Sequence, residues 1–172
     1  AREGALDLTL LPVGPAGIYD GTLRVSGLRI HEAPAMAALL NAISVVGLVE
    51  QLAGRGIVFN DVDAQFRLTP QQVIVTQSSA VGASLGLSMD GVYDFRRKLM
   101  DMQGVVSPVY MLNGIGSLLT RKGEGLFGFN YTLRGPSAAP QVSVNPLSLL
   151  TPGMFREIFR RPPPRISQAP TQ

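Results

Sequence analysis

Apolar residues recur at every second position in four separate stretches of this chain. Leu6, Leu8 and Leu10 alternate with Asp7 and Thr9, and Val62, Ala64, Phe66 and Leu68 with Asp63, Gln65 and Arg67. Ala83, Leu85, Leu87 and Met89 are interleaved with Ser84, Gly86 and Ser88, and Phe127, Phe129, Tyr131 and Leu133 with Gly128, Asn130 and Thr132. A period of two sends successive side chains to opposite faces of a strand, so each stretch reads as a strand with one oily and one wet face. Such strands must pair, and their oily faces must be covered or used.

Composition points the same way. The chain has 172 residues, 45% of them apolar, enough for one domain with its own core. Its 19 Gly and 13 Pro favour many turns between short strands. Further strands are expected at Gly21–Ile30, where Gly27 interrupts the pattern, at 57–68, 72–78, 82–91 and 93–104, and at 141–146. Connections such as Thr69-Pro70-Gln71 are too short for parallel crossovers, which predicts a sequential antiparallel meander with a turn near Gly91.

One segment changes period. Met36, Leu39, Leu40, Ile43, Val46 and Val49 follow spacings of three and four, with Pro34 suited to a first helical turn and Gly54 to a stop. This predicts a single helix over about 35–53. Its uncharged run, broken by Asn41, Ser44 and Gly47, falls short of the roughly 20 residues that span a bilayer, so it is expected to lie on a sheet or across the mouth of an apolar cavity. A short helix is expected near 148–160, started by Pro152. The domain is taken as 1–161, and 162–172 as a disordered basic tail rich in Pro.

Motifs that would carry catalysis fail on context. Gly123–Gly128 reads G-x-G-x-x-G, but a phosphate-cradling loop must open a helix, whereas these glycines open the strand of Phe127 and Phe129. His31 is the only histidine, so a Ser-His-acid relay or a metal site would have to use it, and with no Cys only carboxylates could complete a coordination sphere; it reads as a surface residue at a strand-to-helix junction. Asp61 and Asp63 share a wet face, where a hard cation or plain solvent would suit them. No enzyme activity and no cofactor are expected. The net charge is +3, with clusters at Arg96, Arg97 and Lys98 and at Arg156, Arg160, Arg161 and Arg165, which hints at an anionic neighbour. Nucleic acid is not expected as a partner: the aromatics of 127–133 sit on one face and Arg134 on the other, where single-strand binding wants them interleaved.

The order of these segments resembles the C-terminal region of AsmA-like proteins of Gram-negative bacteria. The resemblance covers residues 20 to 160 and rests on soft features: Gly56 and Phe59 before a strand, Gly82 to Gly91 followed by Asp94, the Ser107-Pro108 step, and Gly135 to Pro140 before a last strand. It implies a curved antiparallel sheet of about eight strands forming an apolar groove. It further implies a place in the periplasm, within a longer protein anchored in the inner membrane, and transport of phospholipid toward the outer membrane. The chain begins Ala-Arg-Glu with no anchor segment, so it is taken as the distal piece of such a protein. On this reading Val62, Phe66, Leu85, Leu87, Met89, Phe127, Phe129 and Tyr131 contact lipid. Met154, Phe155, Arg156, Ile158, Phe159, Arg160 and Arg161 dock on a membrane surface or on an envelope partner protein. The alternative is a closed adaptor module that assists outer-membrane protein assembly without carrying lipid.

Overall fold

The computed structural model describes residues 4–14, 16–31, 33–43, 46–108, 128–145, 162 and 164. The period-two stretches form eight strands: β1 (Ala5–Pro12), β2 (Tyr19–Ile30), β3 (Ile57–Leu68), β4 (Gln72–Val81), β5 (Leu85–Asp94), β6 (Leu99–Pro108), β7 (Phe129–Pro136) and β8 (Gln141–Asn145). They lie in one antiparallel sheet in chain order. The fold is mainly β, and the sheet is open, with β1 and β8 as its edges.

Two helices, α1 (Pro34–Ala42) and α2 (Val46–Ala53), occupy the link between β2 and β3 where one long helix was expected. The helical period continues through the break, but Ile43 leaves helical geometry at φ −96°, ψ 5°. Ile43, Ser44, Val45 and Val46 form a run of poor helix formers, so the periodic stripe outlasts the backbone's preference for a single rod. The expected helix near 148–160 and the insert after Pro108 lie outside the described residues, as do Phe127 and all seven docking residues from Met154 to Arg161.

The turn expected near Gly91 is displaced. β5 runs straight through Gly91, and the chain reverses at Phe95–Lys98, with Lys98 at φ 54°. Gly91 stands opposite Met102, and a side chain there would strike the Asp101 carbonyl and the Met102 sulfur. Its missing Cβ serves a close approach inside the sheet rather than a bend.

Gly27, at φ 69°, does not end β2. It does shift the alternation: Ser26 and Gly27 are both exposed, as are Asn60 and Asp61 across from them on β3. Beyond this point Leu28, Ile30, Ile57 and Phe59 join the same core as Val62, although a strict period of two would turn them away. A register shift in β4 passes over Thr76, whose hydroxyl donates to the Gln65 carbonyl at 3.0 Å.

Leu39, Leu40, Ile43, Leu48 and Leu52 from the helical segment pack against Ile57, Phe59, Ala80, Leu85, Met102, Val106, Tyr131 and Leu133 from the sheet, and this is the core. α2 approaches β3, while α1 reaches β8. The helices thus cover the end of the sheet where β2, β4 and β6 finish. At the other end the four turns that join β1 to β2, β3 to β4, β5 to β6 and β7 to β8 stand side by side.

Candidate functional site

Strand register assembles one apolar face from all eight strands. One cross-strand rank runs Leu10, Gly21, Phe66, Val75, Gly91, Met102, Leu133, Val142. A second runs Leu6, Val25, Val62, Ala80, Leu87, Val106, Phe129. Between them, Met89, Gly104, Tyr131 and Val144 form a shorter rank. Val62, Phe66, Leu87, Met89, Phe129 and Tyr131, separated by up to 69 positions in the chain (131 − 62), therefore share one face. Leu85 lies on it too, at the helix-covered end.

The face is relatively smooth because three glycines sit directly opposite large residues. A Cβ on Gly21 would fall within the Phe66 ring, and Met102 crosses Gly91 in the same way. Tyr131 crosses Gly104 and donates its hydroxyl to the Ser88 carbonyl at 2.9 Å. Each large side chain lies down into a slot instead of standing up from the sheet.

Cover over this face is graded. At β6 Val106 is 0% exposed and at β4 Ala80 is 9%, while Val25, Val62, Leu87 and Phe129 are half-buried. At β1 the same face is bare: Leu6, Leu8 and Leu10 are 66%, 48% and 39% exposed. The residues expected to touch a ligand divide accordingly. Leu85 (0%) and Tyr131 (2%) are packed into the core and offer nothing to a ligand in this conformation. Val62, Phe66, Leu87, Met89 and Phe129 keep partial exposure.

Sequence reasoning did not single out the leucines of β1 as contact residues, although their alternation was plain. What makes them accessible is their position at an edge, farthest from the helical roof, and periodicity carries no such information.

The second face is charged at β2 and β3, and on β5 to β7 it is buried toward the helix-covered end and exposed at Asp101 and Arg134. Arg67 grips Asp20 with two hydrogen bonds, Nε to Oδ1 at 2.7 Å and Nη2 to Oδ2 at 2.9 Å, and the two are register partners. Those bonds hold the Asp20 carboxyl below its ordinary range and push Arg67 upward. Arg24 faces Asp63 at 3.5 Å and Arg134 faces Asp101 at 3.1 Å, again register partners. Asp63 thus engages an arginine, while Asp61 is exposed beside it. Hollows of about 410 and 310 Å³ centre on this charged rank, sharing Asp7, Arg24 and Asp63 in their lining.

Ser88 and Asn130 were expected on a wet face, yet both are buried, together with Asp90, Gln103 and Ser107. Gln103 donates to Asp90 at 2.9 Å and the Val105 amide to the Ser88 hydroxyl at 3.2 Å, which offsets the desolvation of these polar groups. Toward the helix-covered end β5, β6 and β7 are therefore covered on both sides, whereas β1 is covered on neither. His31 is half-buried beside Gly56, whose φ of 81° and lack of a Cβ leave room for the imidazole. Among the described residues no group of three acidic or histidine side chains could hold a metal ion, and no helix is long and apolar enough to cross a membrane. Compared with known protein families, curated proteins and solved structures, the chain matches none of them.

Proposed function

We propose that this chain is a non-enzymatic lipid-transfer domain of the AsmA-like kind, in which the apolar face of a curved sheet takes up the acyl chains of phospholipid. It works in the periplasm as part of a longer protein anchored in the inner membrane. Its far end, residues 154–161, docks on a membrane surface or an envelope partner.

The observation that carries this reading is the uncovered part of the face. Leu6 and Leu10 continue ranks of apolar side chains and glycines that run unbroken into the core, so along these two ranks the oily surface passes from sealed to open, while the rank of Leu8 between them meets Ser78 on β4. A two-chain phospholipid carries about 30 methylenes, and exposing them at ~0.8 kcal/mol each would cost on the order of 20 kcal/mol. A surface of this kind removes part of that cost by partitioning alone, with no bond made or broken. The half-buried set Val62, Phe66, Leu87, Met89 and Phe129 supplies the next contacts inward.

Curvature is supported by reach. On a flat sheet β8 would lie six spacings of about 4.8 Å, roughly 29 Å, from β2. α1 begins four residues after β2 ends and adds about 12 Å of helix, so on a flat sheet only a fully stretched link, about 26 Å long, would come within contact distance of β8. Yet α1 packs beside β8, which a bend of the sheet toward the helices accommodates without stretching.

A second reading, the closed adaptor, draws on Leu85, Val106 and Tyr131, whose burial is that of an ordinary core. Native mass spectrometry of protein purified from cells separates the two. Co-purifying phospholipid is expected, and Leu8→Asp should abolish it while costing less than about 0.5 kcal/mol of stability, because Leu8 is already half exposed. A wild-type chain that never carries lipid would leave the adaptor standing.

A further inference from the structure

We infer that the β5–β6 hairpin tip, Phe95 to Leu99, is the element with which this domain settles on an anionic phospholipid bilayer. Two large apolar residues, Phe95 at 39% exposure and Leu99 at 40%, bracket three exposed cations, Arg96, Arg97 and Lys98. That is the composition of an interfacial anchor: the apolar pair enters the headgroup boundary while the cations meet phosphate.

The tip is braced for this work. The Arg97 amide donates to the Asp94 carboxylate at 2.8 Å, and the Phe95 amide to the Gln71 carbonyl of the neighbouring turn at 2.9 Å. On the other side the Ser137 amide donates to the Lys98 carbonyl at 3.0 Å, and Tyr93 and Phe95 meet edge to face with centroids 5.6 Å apart. The hairpin is tied to both flanking turns through its backbone, while its three cationic side chains are exposed.

Charge distinguishes this tip from the rest of its end of the sheet. Arg67 and Arg134 are held by Asp20 and Asp101, whereas Arg96, Arg97 and Lys98 form no ion pair among the described residues. Three cations against the single carboxylate of Asp94 leave a local net charge of +2, complementary to an anionic surface. The location fits as well: the helices cover the opposite end, and here the apolar face finishes in Tyr19, Leu68, Val73, Tyr93 and Met100, all half-buried. A bilayer at this end would face the less covered mouth of the apolar surface, and in that sense the inference rests on the lipid-transfer reading.

The test is cosedimentation of the full 172-residue chain with vesicles of phosphatidylcholine alone or doped with phosphatidylglycerol. Binding is expected to the doped vesicles and to weaken as salt rises. At roughly fivefold per cation, Arg96→Gln, Arg97→Gln and Lys98→Asn together should lower affinity on the order of a hundredfold. Asn suits the positive φ at position 98, and an unchanged thermal midpoint would establish that the triple variant folds. Phe95→Ser with Leu99→Ser should weaken binding while leaving part of its salt dependence. Undiminished vesicle binding by the triple variant would overturn the proposal, as would preferential binding of a single-stranded oligonucleotide over doped vesicles. Lipid found by native mass spectrometry reports separately on the apolar face: a lipid-free protein that binds doped vesicles through these cations keeps the anchor and loses the transfer function.

Discussion

Gly21, Gly91 and Gly104 each leave a slot in the sheet that Phe66, Met102 or Tyr131 fills from the neighbouring strand. On the other face, register is marked by charge, since the ion pairs of Asp20, Asp63 and Asp101 each join direct cross-strand partners. Asp20 and Arg67 are the best formed of these, with Arg67 only 18% exposed against 42% for Asp20. Because Arg67 depresses the folded-state pKa of Asp20, the unfolded chain takes up that proton more readily. The stabilisation is therefore complete above the ordinary Asp value of about 3.9 and is lost as pH falls through the lower folded value. Asp20→Asn should cost no more than about 1 kcal/mol at neutral pH, given the solvent screening of a partly exposed pair. Urea denaturation at a series of pH values should find that gap closing on the acid side, and a gap independent of pH would mean the carboxylate charge is not what matters. This pairing was only half legible beforehand: the alternation put Asp63 and Arg67 on one wet face, but nothing local named Arg24 and Asp20 as their partners across the sheet.

Elements were legible where one rule acted alone. β3 runs over 57–68 as the alternation of 62–68 and the flanking Gly56 and Thr69-Pro70 indicated. Where two rules competed, the weaker signal misled: the apolar stripe of 36–49 continued past the point where β-branched residues end α1, and Gly91 was read as a turn although it packs against Met102. The buried polar rank of β5 to β7 was illegible for another reason, since Ser88, Asp90 and Gln103 look solvated until their partners are known. α1 matters to the fold chiefly through Leu40, which is 0% exposed, beneath a helix too short to persist alone. Leu40→Ala should cost about 2–5 kcal/mol by opening a cavity under the roof. Leu11→Ala, at a site 61% exposed, should stay within about 0.5 kcal/mol. Equal losses in the two variants would remove α1 as the element that seals this end.

At the level of the whole molecule, protection is lopsided. One edge, β8, is five residues long and has α1 beside it, while the other, β1, is eight residues long and exposed throughout. Natural sheets seldom leave a long oily edge uncovered without a use for it. The meander itself was readable from the short connections, but the gradient of cover was not, because distance from the helices depends on how the sheet is laid out in space. Apart from the helical detour between β2 and β3 and the long link over 109–128 between β6 and β7, each strand pairs with the one before it across a short turn. Closing each hairpin costs little loop entropy, so refolding followed by stopped-flow fluorescence should finish within milliseconds, at the fast limit for β proteins, and a time course of seconds would point to a rate-limiting long-range event. Such a chain can add its strands in the order in which they are synthesised, each new ribbon templated by the last.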